Sequence, residues 1–501
     1  MKHTNFYTLR GIFSTAKRIG FLAVFSLAVS FVHGQNLPEL VWSKNYPAIY
    51  SDFARHIVPT RDGGFVIVGD SQSYGPGIIS TMLVKCDSIG EMEWYQVYGG
   101  DSYDLPYAVI QTPDDGFLIA TYTTSFEPEG TNIRLIKTNA TGEEQWASLL
   151  PNSNGCIIAN TGCLVQTADQ GYMVAGYGWR PPNANQIVLF KINQDGEYMW
   201  AKEIGGDDDD YGANIQPTAD GNYMLAGHTY SYGSGKCDGY LVKVDENGDE
   251  LWSAAYGEDN FDSFYFVRPT SDGGYIAVGS TQSYGKSEQG FVVKTDAEGT
   301  VEWTAAVGGA GNEGFEGVVE TANKEFLLSG MTNSFGNGEH DLYLVRLSQT
   351  GQVLDEETYG STNDDFGANI EYWPGKGYLV AGSYYSTTTY FDFWAMLFEG
   401  DNQTSVSTQL ASAQSLILFE KIAPNPFTDH TSFQFELQEN SHVIITLYTM
   451  NGALVDEITS NYYTKGKHQF DYHGQNITPG MYLCKIQTDK ASVVRKISKI
   501  K

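Results

Sequence analysis

Positive charge is scarce in this chain: 30 Lys and Arg stand against 60 Asp and Glu, a formal net charge of -30. That balance excludes a broad basic face, and with it nucleic acid or anionic lipid as an expected partner. Cysteine is scarce too. Cys86, Cys156, Cys163, Cys237 and Cys484 follow no disulfide-framework spacing and no C-x2-C arrangement with paired histidines, so neither a stapled fold nor a structural zinc site is expected. Cys156 and Cys163 lie close in sequence and read either as a pair for an oxidising compartment or as two buried thiols. Beyond the first 35 residues no long apolar run occurs, so no transmembrane segment is expected in the mature chain. G-x-S-x-G, H-E-x-x-H and P-loop patterns are missing, and the nine histidines are scattered. No catalytic residue can be nominated from motifs.

What is present begins with an address. Lys2, Arg10, Lys17 and Arg18 precede an apolar stretch at 21–32 that is shorter than the roughly 20 residues of a membrane span, and small residues near Gly34 suit cleavage before Gln35. Residues 1–34 are therefore expected to be a signal peptide. With 55 Gly and 14% aromatics, the remainder suits short strands and tight turns, an all-β fold.

The chain repeats itself. DGGFVIVG, DDGFLIAT, DQGYMVAG, DGNYMLAG, DGGYIAVG, NKEFLLSG and GKGYLVAG place an aromatic at Phe65, Phe117, Tyr172, Tyr223, Tyr275, Phe326 and Tyr378, a period of 51 to 55 residues. About 20 residues later comes a second block, LVKCD at Leu83, LIKTN at Leu135, LFKIN at Leu189, LVKVD at Leu241, VVKTD at Val292 and LVRLS at Leu344. A Gly then precedes a Trp: Gly90 and Trp94, Gly142 and Trp146, Gly196 and Trp200, Gly248 and Trp252, Gly299 and Trp303, with Asp355 replacing the Trp after Gly351. Four strands per period match a propeller blade, and D-G and G-G supply the positive φ of tight hairpins. Trp42 supplies a Trp strand with no blade before it, and the last repeat, ending near Gly400, lacks that strand. The expected fold is a seven-bladed β-propeller over 36–400, closed by its N-terminal strand; an open solenoid is the alternative.

These repeats resemble the DGG-Y-repeat propellers of secreted bacterial proteins, and the G-x3-W block resembles the blades of PQQ-type, quinoprotein-like propellers. The resemblance implies a fold and no activity, since no cofactor-stacking, haem-attachment or calcium-ligand signature accompanies it.

DNQTSVSTQLASAQS, from Asp401, is polar, small and without aromatics, and residues 401–418 are expected to be a linker. From 419 to 501 alternating apolar residues at 431–437 and 443–447 indicate a small β-sandwich. Pro424-Asn425-Pro426, the L-Y-x-x-x-G run through Gly452, Gly480-Met481-Tyr482 and Arg495-Lys496 resemble the type A sorting domain of the type IX secretion system. That resemblance implies the type IX machinery as a partner and delivery to the cell surface or the extracellular space. A fibronectin-like accessory domain is the alternative for a sandwich of this size.

Three constellations are candidates for chemistry. Asp52, Asp104, Asp210, Asp262, Glu313 and Asp365 recur ten residues before the D-G position, with Ala159 and Asn160 in the departing third repeat; such faithful repetition favours a role in building each blade. Asp207-Asp208-Asp209-Asp210 concentrates oxygen ligands of the kind that suit Ca²⁺, although no D-x-D-x-D-G loop completes the pattern and a solvated charge run is the plainer alternative. Tyr74, Phe126, Tyr232, Tyr284 and Phe335 recur nine residues after the blade aromatic, as platforms for a sugar ring or as blade packing. Trp179 and Arg180, in the divergent GWRPPN, break the repeat and are the stronger ligand-binding candidates. The expected function is an exported, non-enzymatic module for a glycan or a surface protein. A polysaccharide-active hydrolase with carboxylates in the propeller cleft and a structural spacer are the alternatives.

Overall fold

The computed structural model describes residues 37–400 and 417–500, apart from 47–48, 127–129, 152, 154, 159–160, 181–183, 286, 426, 438–439, 450–453, 476 and 489–491. The expected signal peptide, Ala159, Asn160, Pro426, Gly452 and nearly all of the expected linker lie outside the described residues. No described helix is long and apolar enough to cross a membrane.

Every named element is a strand. Among the described residues, those from 40 to 399 form seven antiparallel sheets, at 52–98, 104–149, 156–204, 210–256, 262–307, 313–359 and 366–399, the last including Leu40–Tyr46. In the first, the strands are Asp52–Pro59, Phe65–Ser71, Ser80–Cys86 and Met92–Tyr98, paired in sequence order. The second and third strands are buried at every position, because neighbouring sheets cover both of their faces, and they accordingly read as continuous apolar runs. The fourth strand is exposed or half-buried up to the buried Tyr98. The third sheet departs: its inner edge is broken into Cys156–Ile157 and Leu164–Gln166.

Consecutive sheets touch along their inner strands, and Asp52–Pro59 of the first sheet also touches all three strands of residues 366–399. Leu40–Tyr46 pairs antiparallel with Tyr390–Glu399, opposing Tyr46 to Phe393. Trp394 Nε1 donates to Ser43 Oγ across that pair at 2.7 Å.

The two most regular sequence blocks are partners in space. The D-G aspartate receives the buried lysine of the L-V-K block: Lys85 to Asp62 at 2.9 Å, Lys137 to Asp114 at 2.8 Å, Lys191 to Asp169 at 2.7 Å, Lys243 to Asp220 at 2.7 Å and Lys294 to Asp272 at 2.9 Å. In the sixth sheet Arg346 and Glu325 take the same parts at 2.6 Å. Each Trp lies against the Gly of the following sheet's turn; a Cβ on Gly196 would meet the Trp146 ring at 2.5 Å and one on Gly248 the Trp200 ring at 2.5 Å. Only a residue without a side chain admits that ring.

Residues 417–499 form two further sheets. One pairs Ile417–Ala423, His430–Leu437 and Gly466–His473; the other pairs Leu454–Tyr463, Ser441–Thr449, Gly480–Gln487 and Ser492–Lys499. Phe433 and Phe435 of the first share one core with Ile445, Leu447, Cys484 and Ile486 of the second.

Candidate functional site

The recurrent acids are consumed by the fold. Asp104 accepts from Thr123 Oγ1 and Ser125 Oγ at 2.6 Å each and from the Gly100 N–H at 2.8 Å. Asp262 accepts from Thr281, from Ser283 Oγ at 2.6 Å and from the Glu258 N–H at 2.9 Å. Each acid thereby ties the loop before its own strand to the loop after the next one. Asp210 does the same with Thr229, Ser231 and Gly206. Asp209 instead accepts from the Asn185 backbone at 2.6 Å, and Asp207 and Asp208 are exposed. The four aspartates thus point to separate tasks, and among the described residues no group of three or more His, Cys, Asp or Glu is placed to hold a metal. The five cysteines are free and buried.

The recurrent aromatics sit over their own sheets. Tyr232 stacks on Tyr240 at 5.6 Å, Tyr284 on Phe291 at 5.8 Å, and Phe335 tilts on Tyr343 at 5.7 Å. Phe126 carries the Arg134 guanidinium at 4.4 Å, and Tyr74 meets Tyr95 at 5.2 Å. One ring face of each is taken up in this way. Trp179 differs. The hairpin Tyr172–Arg180 and Ala184–Ile192 has nine residues in each strand, against seven in the first, second, fourth, fifth and sixth sheets and ten in the seventh; it opposes Trp179 to Asn185 and leaves the indole 54% exposed. Arg180 is held by Glu203 at 2.8 Å and lies 3.0 Å from Cys156 Sγ.

A feature that motif reading missed lies on the inner strands. Five of them carry a β-bulge that leaves one residue out of register: Arg55, Tyr107, Ala213, Tyr265 and Glu316. In the seventh sheet the shift spans Ala368 and Asn369. A bulge re-aims the extra residue out of the pleat. Arg55, Tyr107, Glu316 and Ala368 line one cavity of about 460 Å³, with Phe53 and Asp70. Arg55 Nε donates to Asp70 Oδ1 at 2.5 Å, and its guanidinium lies 5.5 Å from the Tyr107 ring centroid and 5.9 Å from that of Phe53. Glu316 faces the cavity and is otherwise enclosed by protein; that desolvation pushes its carboxyl up to about 7, against the pull of Arg55. Tyr265 donates or accepts at Ser280 Oγ, 2.8 Å away, and burial raises its phenol to about 12.

Further polar groups line the inner strands. Arg268 reaches Glu371 at 2.7 Å, from the fifth sheet to the seventh, and His56 Nδ1 accepts the Val109 N–H at 3.3 Å. Burial pushes the His56 imidazole down to about 4, so it is neutral at pH 7.

Two aromatic groups lie on the strand ends at the bulges. Phe53, Phe366 and Tyr385 surround Phe391 at 4.6, 5.6 and 5.3 Å. From the third and fourth sheets, Tyr177 meets Tyr211 at 4.7 Å, Tyr211 stacks on His228 at 4.7 Å, and Tyr230 follows at 6.2 Å from Tyr211. Phe53 pairs across strands with Asp70, Tyr211 with His228, Ser263 with Ser280 and Phe366 with Ser383. These are the positions at which the repeats disagree. The legible signal was variation inside an otherwise constant frame: three residues after each recurrent acid stand Arg55, Tyr107, Ala213, Tyr265, Glu316 and Ala368.

In the C-terminal sheets, Pro424 and Asn425 are exposed, and Asn425 Oδ1 accepts the Ser498 N–H at 2.8 Å. Tyr482 is buried with its hydroxyl donating to the Thr478 carbonyl at 2.6 Å, while Gly480 opposes Lys499, Cys484 opposes the exposed Arg495, and Leu483 opposes Lys496.

Among solved structures the chain is similar to a protein of unknown function from Dyadobacter fermentans, at 11% identity and a TM-score of 0.43 over 72% of this chain and 99% of that one. It is similar to a puromycin hydrolase at 12% identity and a TM-score of 0.45, over 78% of this chain and 59% of the other. The Neurospora crassa Pan2 WD40 domain aligns at 10% identity and a TM-score of 0.41, over 73% and 96%. No curated protein matches. Residues 421–500 match the secretion system C-terminal sorting domain family, and that tail marks the protein for export by the type IX system to the cell surface or the extracellular space.

Proposed function

We propose that the chain is an exported seven-bladed β-propeller, residues 36–400, closed by its N-terminal strand, which binds a glycan at its central cavity without chemically altering it. A signal peptide at 1–34 starts export, and a linker at 401–418 joins the propeller to the sorting domain at 419–501. The observation that carries the reading is the convergence of repeat-variable residues: Arg55, Tyr107 and Glu316 line the same cavity while the positions around them build the sheets. Rings such as Phe53 and Phe366 at that cavity suit the C–H faces of sugars. Trp179, Arg180, Tyr74, Phe126, Tyr232, Tyr284 and Phe335 form the outer part of the proposed surface, with Trp179 the leading contact.

The test is a polysaccharide array probed with the purified protein, with and without Ca²⁺, while released reducing ends are assayed. Binding without release is the expected result. Release would favour the hydrolase reading, for which Asp70 and Glu316, two carboxyl groups on one cavity, are the pair to substitute. No binding to any glycan would overturn the proposal in favour of a protein partner or a spacer.

A further inference from the structure

We propose that the central cavity recognises a carboxylate, so that the glycan of the reading above, on which this inference rests, is a uronate-bearing one. The receptor is Arg55. Its bulged position aims the side chain into the cavity, and only Nε is engaged, by Asp70 at 2.5 Å. Among the described residues neither terminal nitrogen of Arg55 has a hydrogen-bond partner, although the side chain is only 33% exposed. The planar fork is held edge-on by Asp70 and flanked by the Tyr107 and Phe53 rings at 5.5 and 5.9 Å. A guanidinium held in place with both terminal nitrogens free to donate is the geometry that pairs bidentately with a carboxylate.

Asp70 offsets the charge of Arg55, so the remaining group, Glu316, decides the sign of the cavity. In its protonated form Glu316 donates a hydrogen bond to an incoming carboxylate; ionised, it repels one. The groups that face it are Arg55 and Asp70 from the first sheet, Tyr107 from the second and Tyr265 from the fifth. The seventh sheet contributes Phe366, Ala368 and Ser383, and Met331 comes from its own sheet; none of these titrates. The two phenols stay neutral through pH 8, their pKa values being raised by burial. A sugar acid is favoured over a peptide terminus because aromatic faces, Phe53 and Phe366, share the cavity with the fork.

The experiment is calorimetric titration of the full chain with oligogalacturonate and with the same oligomer after carboxyl reduction, at pH 5.5 and pH 8. Expected are at least tenfold tighter binding of the acidic oligomer and roughly tenfold weakening from pH 5.5 to pH 8, the effect of one nearby charge. Arg55→Lys keeps the charge, loses the fork and is expected to bind the acidic oligomer at least tenfold more weakly, while Glu316→Gln flattens the pH profile. Thermal melts of both variants check that they fold. Equal binding of the acidic and reduced oligomers would overturn the carboxylate inference and leave glycan binding standing. Binding of neither, on a chain that also ignores the array, would remove both, and selective binding of a free peptide C-terminus over its amide would replace the sugar acid by a protein ligand.

Discussion

The carboxylate of Asp355 accepts the backbone N–H of Leu37 at 2.9 Å, across 318 residues of chain. Asp355 stands where the other repeats carry a Trp, and each such Trp covers the Gly of the next sheet's turn. The seventh sheet takes its outer strand, Leu40–Tyr46, from the N-terminal segment and offers no such Gly, so an acceptor for an unpaired N–H replaces the ring. Asp355→Ala is expected to cost about 1 kcal/mol, one hydrogen bond. Trp42→Ala, which removes a ring stacked 5.8 Å from Phe65, is expected to cost about 3 kcal/mol. Urea unfolding of both variants checks the order; equal costs would contradict a sealing role for Leu40–Tyr46.

Stability should fall with acid in two stages. Burial depresses His56 and His228 to about 4, so their contribution is present above the unfolded value near 6.5 and is lost as pH falls from there towards 4. Asp62, Asp169 and Asp272 titrate near 2, held down by Thr and Lys hydrogen bonds against the effect of burial, and their contribution is lost between about 3.8 and 2. The double variant His56→Gln, His228→Gln should flatten the melting-temperature profile between pH 6.5 and 4 and leave the lower stage unchanged.

Glu316 works in the opposite direction. Its folded pKa lies near 7, above the ordinary 4.5, so its effect is most favourable at low pH and stability is lost as pH rises to 7. Glu316→Gln should therefore stabilise the protein at pH 8 by up to about 3 kcal/mol relative to its effect at pH 4. Parallel melts at the two values measure the difference, and a pH-independent effect would contradict the assignment.

Trp179 and Tyr232 both belong to the proposed surface, and Tyr232 also packs on its own sheet. Trp179→Ala should leave the melting temperature within about 2 °C while weakening glycan binding about tenfold, because the indole is exposed. Tyr232→Ala should lower stability by about 1–2 kcal/mol, since it loses the stack on Tyr240 and the bond to the Gly205 carbonyl. Scanning calorimetry and titration on the same preparations distinguish the two.

Removal of residues 421–500 should arrest the protein in the periplasm, since these residues carry the sorting family match. Fractionation of cells expressing the truncated chain is the check, and surface or extracellular recovery equal to that of the full chain would contradict the assignment.

The sequence by itself determined the all-β class and the recurring four-strand antiparallel unit, from which only the third sheet's broken inner edge departs, because each block recurs with its local reason intact: D-G for the hairpin, L-V-K for a strand buried on both faces, Gly ahead of Trp. It also determined the sorting tail, whose residues are contiguous within each strand. Only the tertiary structure decided what the repeated residues are for. Lys85 and Asp62 lie 23 positions apart and meet because adjacent strands pair in register, and Trp146 meets Gly196 because sheets pack side by side. The candidate cavity was the least legible part, since Arg55, Tyr107 and Glu316 each come from a different sheet and sit on a β-bulge, and a bulge is a change of register between strands that no single segment records.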